Sequence, residues 1–375
     1  MILAGEASGD AHGAAMAHHL KQLQPDIKLS GMGSAEMRSA GIDLFFDSSN
    51  IAVVGLFEVL KHWSEIRQAM KLVKQKLDET RPDLLVLIDY QEFNQKMAAY
   101  AKGTGIKVLF YISPQVWAWR PERVHKIGKI IDHMAVIFKF EEDFYHKVGI
   151  PVTFVGNPLV GKVKTSGSIT ETRQQLGFNA EDKIIGLFPG SRQNEISRLL
   201  PVMLASARLL TDKHANLKFV LPVATTVDRK EIEQQCQQSG TDIKLTDENL
   251  YEVIACCDSI VSCSGTATLE IALMQVPLCI IYKTAWLTYI IMKRLVSIDC
   301  IGLANIVAGK PIVREFLQRE ASPENISAEL ERMSFDADYR RQMLSELSRI
   351  KDNLGQDNGS ENVAKLALEL LPKSV

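Results

Sequence analysis

The sequence predicts an α/β protein of two doubly wound domains facing each other across a cleft. Three observations predict it. Short, nearly continuous Val/Ile/Leu runs alternate with longer stretches rich in Ala, Lys, Gln and Met; such runs are strands of parallel sheets covered by helices on both faces. The alternation pauses once, at Gly156-Asn157-Pro158 and the Gly-, Lys-, Ser- and Thr-rich stretch from Gly161 to Thr170, and then restarts. That composition is a linker's. A chain of 375 residues also suffices for roughly two hydrophobic cores. The expected boundaries are 1–160, 161–345 and a helical tail, 346–375, packed on the first domain or on a partner chain.

The predicted strands of the first half are Ile2–Ala4, Ile27–Ser30, Leu84–Ile88, Lys107–Ile112, Met134–Phe138 and Val152–Val155. Those of the second half are Ile184–Phe188, Phe219–Pro222, Ile243–Leu245, Ser259–Ser262 and Leu278–Tyr282. In doubly wound folds ligands bind beyond the carboxyl ends of the strands, so the loops there are the places to read for chemistry.

Composition excludes several classes. Apolar residues are 46%, charged residues 23% and the formal net charge −2, an ordinary profile with nothing global that calls for nucleic acid. The six cysteines all lie in the second half without a Cys-x-x-Cys pair; buried free thiols fit them better than disulfides. Met1-Ile2-Leu3-Ala4-Gly5 lacks a signal peptide's basic start and reads as the tail of a first strand. No apolar run reaches the ~20 residues of a membrane span.

Residues 258–270, Asp-Ser-Ile-Val-Ser-Cys-Ser-Gly-Thr-Ala-Thr-Leu-Glu, are the most informative stretch. A buried strand runs into a turn of small residues, including Ser264, Gly265 and Thr266, and then into a helix carrying Glu270. Such a turn aims backbone N–H groups and the positive end of a helix dipole at one spot. Small side chains let a diphosphate approach, and Glu270 offers two acceptors to a ribose diol. No Gly-Lys-Ser/Thr follows, so this is not a P-loop. A plain Ser/Thr-capped connection is the simpler alternative. Strand Ile184–Phe188 ends in Pro189-Gly190-Ser191-Arg192. Ser191 and Arg192 form a compact anion site, since the guanidinium matches a diphosphate bidentately; the alternative is an ion pair between Arg192 and Glu195. Asn305, in Leu303-Ala304-Asn305-Ile306, is expected at the same cleft.

In the first half, Gly5 and Gly9 let the chain turn tightly before Ser8 and Asp10, which either cap the next helix or bind a sugar or phosphate. Gly31-Met32-Gly33 reads as a shortened Gly-x-Gly after the second strand. Asp89, directly after an apolar strand, is a general-base candidate, with helix capping as the alternative; Asn94 lies in the same loop. Ser113-Pro114-Gln115-Val116-Trp117-Ala118-Trp119-Arg120 carries two tryptophans for which core packing is an equal explanation. Pro121 opens a helix on which Arg123, Lys126 and Lys129, with Arg120 just ahead, form a basic stripe opposite Val124, Ile127, Ile130 and Ile131; a solvated helix face is the simpler reading.

Metal and hydrolase signatures are missing. There is no His-Glu-x-x-His and no Gly-x-Ser-x-Gly, and the one Asp-x-Asp, Asp336-Ala337-Asp338, sits in a charged helical context. Two stretches are too apolar for an ordinary surface, 51–63 and 286–296. The first holds Val53, Leu56, Phe57, Leu60 and Trp63. Each suits either a buried helix or a membrane interface.

Ala4-Gly5-Glu6-Ala7-Ser8-Gly9-Asp10, Val53-Val54-Gly55-Leu56-Phe57-Glu58-Val59-Leu60, Ser113 to Arg120, Pro189-Gly190-Ser191-Arg192 and Ser264-Gly265-Thr266-Ala267-Thr268-Leu269-Glu270 together resemble, in order, the motifs of the lipid-A-disaccharide synthase family. The resemblance spans residue 4 to about 309. It implies two Rossmann-like domains of the GT-B kind and an inverting, metal-independent hexosyltransferase without cofactor. The enzyme would act in lipopolysaccharide synthesis, peripherally on the cytoplasmic face of the inner membrane of Gram-negative bacteria. The implied substrates are UDP-2,3-diacylglucosamine and 2,3-diacylglucosamine 1-phosphate (lipid X); the implied products are the β-1,6 disaccharide 1-phosphate and UDP. A homodimer is left open. Asp89 would be the base. Ser191, Arg192, Ser264, Gly265, Thr266, Glu270 and Asn305 would hold the UDP-sugar. Ser8, Asp10, Asn94, Trp117, Arg120, Arg123 and Lys126 would hold the acceptor and its phosphate. Val53, Leu56, Phe57, Leu60 and Trp63 would meet acyl chains or the bilayer. One departure stands out: Tyr90-Gln91-Glu92 replaces the family's usual small residue, proline and acid. A UDP-sugar epimerase of the same architecture and a non-enzymatic lipid- or nucleotide-binding module are the alternatives.

Overall fold

The computed structural model describes residues 1–50, 63–118, 121–214, 216–285, 289 and 299–372. The chain divides into two compact units, Met1–Pro158 with Leu354–Val375, and Leu159–Asn353.

The first unit is a parallel sheet of seven strands: β1 Ile2–Ala4, β2 Ser30–Gly33, β3 Asp43–Asp47, β4 Leu84–Ile88, β5 Lys107–Tyr111, β6 His133–Val136 and β7 Val152–Phe154. Their order, β3-β2-β1-β4-β5-β6-β7, makes the sheet doubly wound: the chain winds outward from β1 to β3, crosses back, and winds outward again from β4. Side-chain alternation splits each strand between two cores. Leu3, Leu85, Leu87, Val108 and Phe110 face one core, beneath helices Trp63–Thr80 and Gln91–Gly103. Ile2, Ala4, Val86, Ile88, Leu109 and Tyr111 face the other, with helices Ala7–Leu23 and Gly359–Leu370.

Two strands of this sheet differ from the sequence expectation. β2 begins at Ser30, where the expected strand ended, so Gly31-Met32-Gly33 lies inside a strand. The reason is steric. A Cβ on Gly31 would stand 1.9 Å from the Ile2 carbonyl oxygen, so this glycine lets β2 approach β1. β3, Asp-Leu-Phe-Phe-Asp, is a half-buried edge strand without the Val/Ile run that marks the others.

The second unit repeats the winding with β8 Lys183–Phe188, β9 Leu217–Pro222, β10 Ile243–Thr246, β11 Ser259–Cys263, β12 Leu278–Tyr282 and β13 Glu315–Leu317, in the order β10-β9-β8-β11-β12-β13. All pairings are parallel. Both units are therefore doubly wound Rossmann-like α/β sheets. Cys236, Cys256, Cys257, Cys263 and Cys279 are buried free thiols.

The tail expected from residue 346 joins the first unit only at Leu354. Helices Pro323–Phe335 and Ala337–Ser348 stay with the second unit: Ser334 hydrogen-bonds Ser259 at 2.9 Å, and Arg340 donates to the Asp258 carbonyl. Re-entry is fixed where Asn157 N donates to Leu354 O at 2.8 Å. Gly359 packs there against the Gly156 backbone so tightly that a Cβ would lie 2.8 Å from its oxygen. Helix Gly359–Leu370 then buries Val363, Ala364 and Ala367 beside helix Ala7–Leu23.

Expectations for Val53, Leu56, Phe57, Leu60, Trp119, Arg120 and the stretch 286–296 fall outside the described residues, apart from Tyr289. Among the described residues no helix is long and apolar enough to cross a membrane.

Candidate active site

In each sheet the winding reverses between two neighbouring strands, β1 and β4 in the first unit and β8 and β11 in the second. A crevice opens at such switch points at the carboxyl edge. The sequence motifs sit on those edges.

In the first unit, β4 ends at Ile88 and the chain enters two consecutive left-handed residues, Asp89 (φ 47°) and Tyr90 (φ 44°). Such a conformation costs about 1–2 kcal/mol per non-glycine residue and persists only where neighbours enforce it. Here the enforcement is visible. Asp89 N donates to Tyr111 O at 3.1 Å. The Asn94 side-chain amide donates to Ile88 O at 3.1 Å and Asp89 O at 2.7 Å. The Tyr90 ring packs on Phe93 with centroids 5.4 Å apart, and lies so close over Gly5 that a Cβ there would be 2.2 Å from it. Burial raises the Asp89 carboxyl above the ordinary carboxylate range, against a backbone hydrogen bond at Tyr90 that lowers it. A carboxylate made more basic by desolvation at a strand end suits proton acceptance.

Several expected acceptor contacts have other occupations. Asp10 is 4% exposed. Its carboxylate accepts from Ser34 N (2.5 Å), Glu36 N (2.9 Å) and Met37 N (3.4 Å), tying helix Ala7–Leu23 to the turn after β2. In this structure its carboxylate serves as a cap. Asn94 is fully buried beneath Asp89 and braces it. Trp117 is buried, with its indole N–H on Glu141 at 2.9 Å, so core packing accounts for it. Ser8 is exposed in the first turn of its helix. Arg123 pairs with Glu92 at 2.9 Å, and Lys126 is exposed beside it while Val124 and Ile127 are buried. The stripe therefore has the expected polarity, carried by a 3-10 turn, Pro121–Arg123, and a short helix, Val124–Gly128.

In the second unit, the loop after β8 holds Gly190, whose φ of 111° favours glycine. A Cβ there would also meet the Glu195 carboxylate at 2.3 Å and the Cys263 sulfur at 3.1 Å, so this loop touches the end of β11. Glu195 sits over the start of helix Gln193–Lys213. Its Oε2 accepts from Ser191 N and Arg192 N, both at 3.2 Å, and its Oε1 faces Arg192 at 3.4 Å. Ser191 and Arg192 thus already hold an anion, and the Arg192 side chain remains 69% exposed.

β11 runs into helix Thr266–Leu273, whose N-cap, Gly265, makes no side-chain cap hydrogen bond. A Cβ on Gly265 would meet nothing within 4 Å, so there is room over this helix end. Ser264 ties the turn to Ile301 O at 3.0 Å. Glu270 accepts from the Tyr251 hydroxyl at 3.0 Å, a partner the sequence reading missed; burial, then the Glu270 charge, raises the Tyr251 phenol. Asn305 is 1% exposed. Its amide is spent on its own loop: it donates to Val313 O (2.9 Å) and Glu315 (2.7 Å) and accepts from Ile312 N (2.8 Å) and Val313 N (3.0 Å). It braces the loop before β13 and has no amide group left for a nucleotide.

The model of a family described as lipid-A-disaccharide synthetase matches residues 1–367. The chain belongs to the lipid-A-disaccharide synthase family. The synthase of Geobacter metallireducens is 46% identical over 373 residues, covering 100% of this chain and 97% of its own. That of Nitrosococcus oceani is 43% identical, covering 99% and 95%. In fold the chain is similar to the solved glycotransferase of kitacinnamycin (14% identity, TM-score 0.65, covering 99% and 98%). It is likewise similar to the UDP-GlcNAc 2-epimerase from Neisseria meningitidis bound to UDP-GlcNAc (13%, TM-score 0.62, covering 98% of each). Those two likenesses show the fold alone, which is of the GT-B kind. Membership of the synthase family sets the epimerase and the non-enzymatic module aside: this is a UDP-sugar-using hexosyltransferase of lipid A synthesis.

Proposed function

We propose that the chain condenses UDP-2,3-diacylglucosamine with 2,3-diacylglucosamine 1-phosphate, with inversion, to give the β-1,6 disaccharide 1-phosphate and UDP. The observation that carries this reading is Asp89: a desolvated carboxylate of raised basicity, held rigidly at the switch point of the first unit. The acceptor's primary 6-hydroxyl attacks the anomeric carbon from the face opposite UDP while Asp89 takes its proton, through an oxocarbenium-like transition state of the kind inverting sugar chemistry uses.

The leaving diphosphate gains charge as the glycosidic bond breaks. Arg192, the backbone N–H groups of Ser191 and Arg192, and the start of helix Thr266–Leu273 are the groups to meet it. Glu270, steadied by Tyr251, is assigned to the ribose. In the first unit, Arg123 and Lys126 are assigned to the acceptor's 1-phosphate, with Ser8 at the neighbouring strand end. Trp63 is 45% exposed, with Arg67 and Lys96 over its ring at 5.8 and 5.6 Å. An aromatic ring among cations suits an anionic bilayer surface, and supports peripheral attachment to the inner membrane.

The test is direct. The purified protein is given both substrates and the products are followed by mass and by NMR of the new anomeric centre. UDP release without an acylated disaccharide, or an α linkage, would overturn the reading.

A further inference from the structure

The groups that attach the loop after β5 to the protein converge on one residue with no role in the chemistry above. Glu141 lies in helix Lys139–His146 and is 1% exposed. Its Oε1 accepts from Ser113 Oγ and Trp117 Nε1, each at 2.9 Å, and its Oε2 accepts from Phe138 N at 3.2 Å. Tyr145 OH completes the cluster at 3.0 Å from Ser113 Oγ. Among the described residues no cation is paired with this carboxylate. Burying an uncompensated charge is expensive, so a purely stabilising role is served more cheaply by an apolar side chain.

The two residues that share Oε1 bracket the loop 113–117. Just before it, Ile112 is left-handed (φ 67°), an unusual conformation for a β-branched residue. Its N–H is held by Ala135 O at 3.0 Å. At its far end Trp117 packs edge-on against Phe140, with centroids 4.9 Å apart. The loop starts one strand from Asp89, whose N–H is bonded to Tyr111 O. Its continuation leads to Arg123 and Lys126.

We infer that Glu141 is a positioning residue for acceptor recognition: one carboxylate oxygen holds both ends of the Ser113–Trp117 loop and thereby sets where the following basic turn presents its cations. The inference rests on the assignment of the acceptor to the first unit. Burial pushes the Glu141 carboxyl up to about 7, against the hydrogen bonds from Trp117 and Ser113. The groups facing it are the Ser113 hydroxyl, the Trp117 indole, the backbone at Phe138 and Ile137 and, through Ser113, the Tyr145 phenol. Its neutral form has one oxygen that donates where Phe138 N needs an acceptor.

The experiment measures KM for lipid X and for the UDP-sugar separately, with UDP affinity by calorimetry, in Glu141→Gln, Trp117→Phe and the double variant. At pH 8 each single variant is expected to raise the lipid X KM on the order of fivefold to tenfold. UDP affinity should change less than twofold and turnover at saturating acceptor less than threefold. The double variant should be little worse than either single one, because both remove the same link. In the parent protein the lipid X KM should rise as pH falls through about 7; in Glu141→Gln it should stay at the higher value throughout. An unchanged lipid X KM in folded Glu141→Gln, or an equal rise in both KM values, overturns the inference. Should Glu141→Gln not fold, Trp117→Phe and the parent pH profile decide it. Arg123→Ala with Lys126→Ala tests the underlying assignment by itself: if that pair leaves the lipid X KM unchanged, the acceptor assignment fails.

Discussion

The side-chain amide of Asn94 donates to the carbonyl oxygen of Asp89 at 2.7 Å, directly where the chain leaves β4 in a left-handed conformation. This bond ties the proposed base to the helix behind it and fixes the backbone from which its carboxyl projects. Asp89→Asn keeps the size and the brace and removes the base. Turnover should fall ~10²–10⁴-fold, the usual share of a general base, with UDP affinity unchanged by calorimetry. Near-normal turnover in the folded variant would remove Asp89 from the mechanism.

The raised Asp89 carboxyl has two pH consequences. Activity should decline with acid through a limb above the ordinary carboxylate range, and that limb should vanish in Asp89→Asn. Stability moves the other way. With the folded value above the unfolded one, the residue's favourable contribution is complete below the unfolded pKa and is lost as pH rises through the folded pKa. Asp89→Asn should therefore raise the thermal midpoint at neutral pH, with the gain shrinking toward acid. An equal or lower midpoint at pH 7 would show that Asp89 is not strained by burial.

The sheets were readable because β4, β8 and β11 are uninterrupted apolar runs, and the motif loops because glycine, hydroxyl and charge cluster just beyond them. Asp10 and Asn305 show the limit of a local reading, for a physical reason: a polar residue at a strand end serves equally well as a cap or as a ligand contact. Only its partners, Ser34 N and Glu36 N for one, Val313 and Glu315 for the other, separate the two. Glu141 was invisible because its partner Ser113 lies 28 residues earlier, and no local pattern links them. β3 and β13 are short edge strands whose few apolar residues carry too weak a period.

Arg192→Ala should weaken UDP binding by about 1.5–3 kcal/mol, the worth of hydrogen bonds to a charged group, which is roughly a tenfold to hundredfold rise in Kd. Glu195→Gln should do the reverse. Its carboxylate occupies the N–H groups of Ser191 and Arg192 that a diphosphate needs, and an internal competitor lowers apparent affinity by the fraction of time it holds the site. UDP binding tightened about threefold to tenfold is the expected outcome in titration calorimetry. Weaker binding in folded Glu195→Gln would show that Glu195 shapes the loop rather than competing for it. EDTA should leave turnover unchanged, since positive groups of the chain meet the diphosphate.

Gly31→Ala tests the close approach of β2 to β1. The added Cβ would overlap the Ile2 carbonyl oxygen, at 1.9 Å, and backbone cannot swing aside as a side chain does. Overpacking of this kind costs ~1–3 kcal/mol or more, and each kcal/mol lowers the midpoint of a domain this size by roughly 2–4 °C. A variant that melts with the parent would mean that the strands separate there at little cost.

The last prediction concerns the bilayer. Trp63 opens helix Trp63–Thr80, half exposed, with Arg67 and Lys96 against its ring. The sequence just before it, 51–62, holds Val53, Val54, Leu56, Phe57, Val59 and Leu60, with Glu58, Lys61 and His62 as its charged or titratable residues. On a helix that would be more apolar groups than one narrow core-facing stripe uses. Each Leu-sized side chain moved from water into lipid contributes roughly 1.5–3 kcal/mol at most, and nearby cations add to it on anionic lipid. Leu56→Ser, Phe57→Ser and Leu60→Ser together should shift the protein from sedimenting vesicles to the supernatant, and Trp63→Ser should do so in smaller measure. Turnover on detergent-dispersed substrate should fall far less than vesicle binding. If the triple variant fails to fold, those three side chains belong to a core. Trp63→Ser, at an exposed position, then decides the matter: unchanged sedimentation with anionic vesicles would remove this edge from the membrane-facing surface.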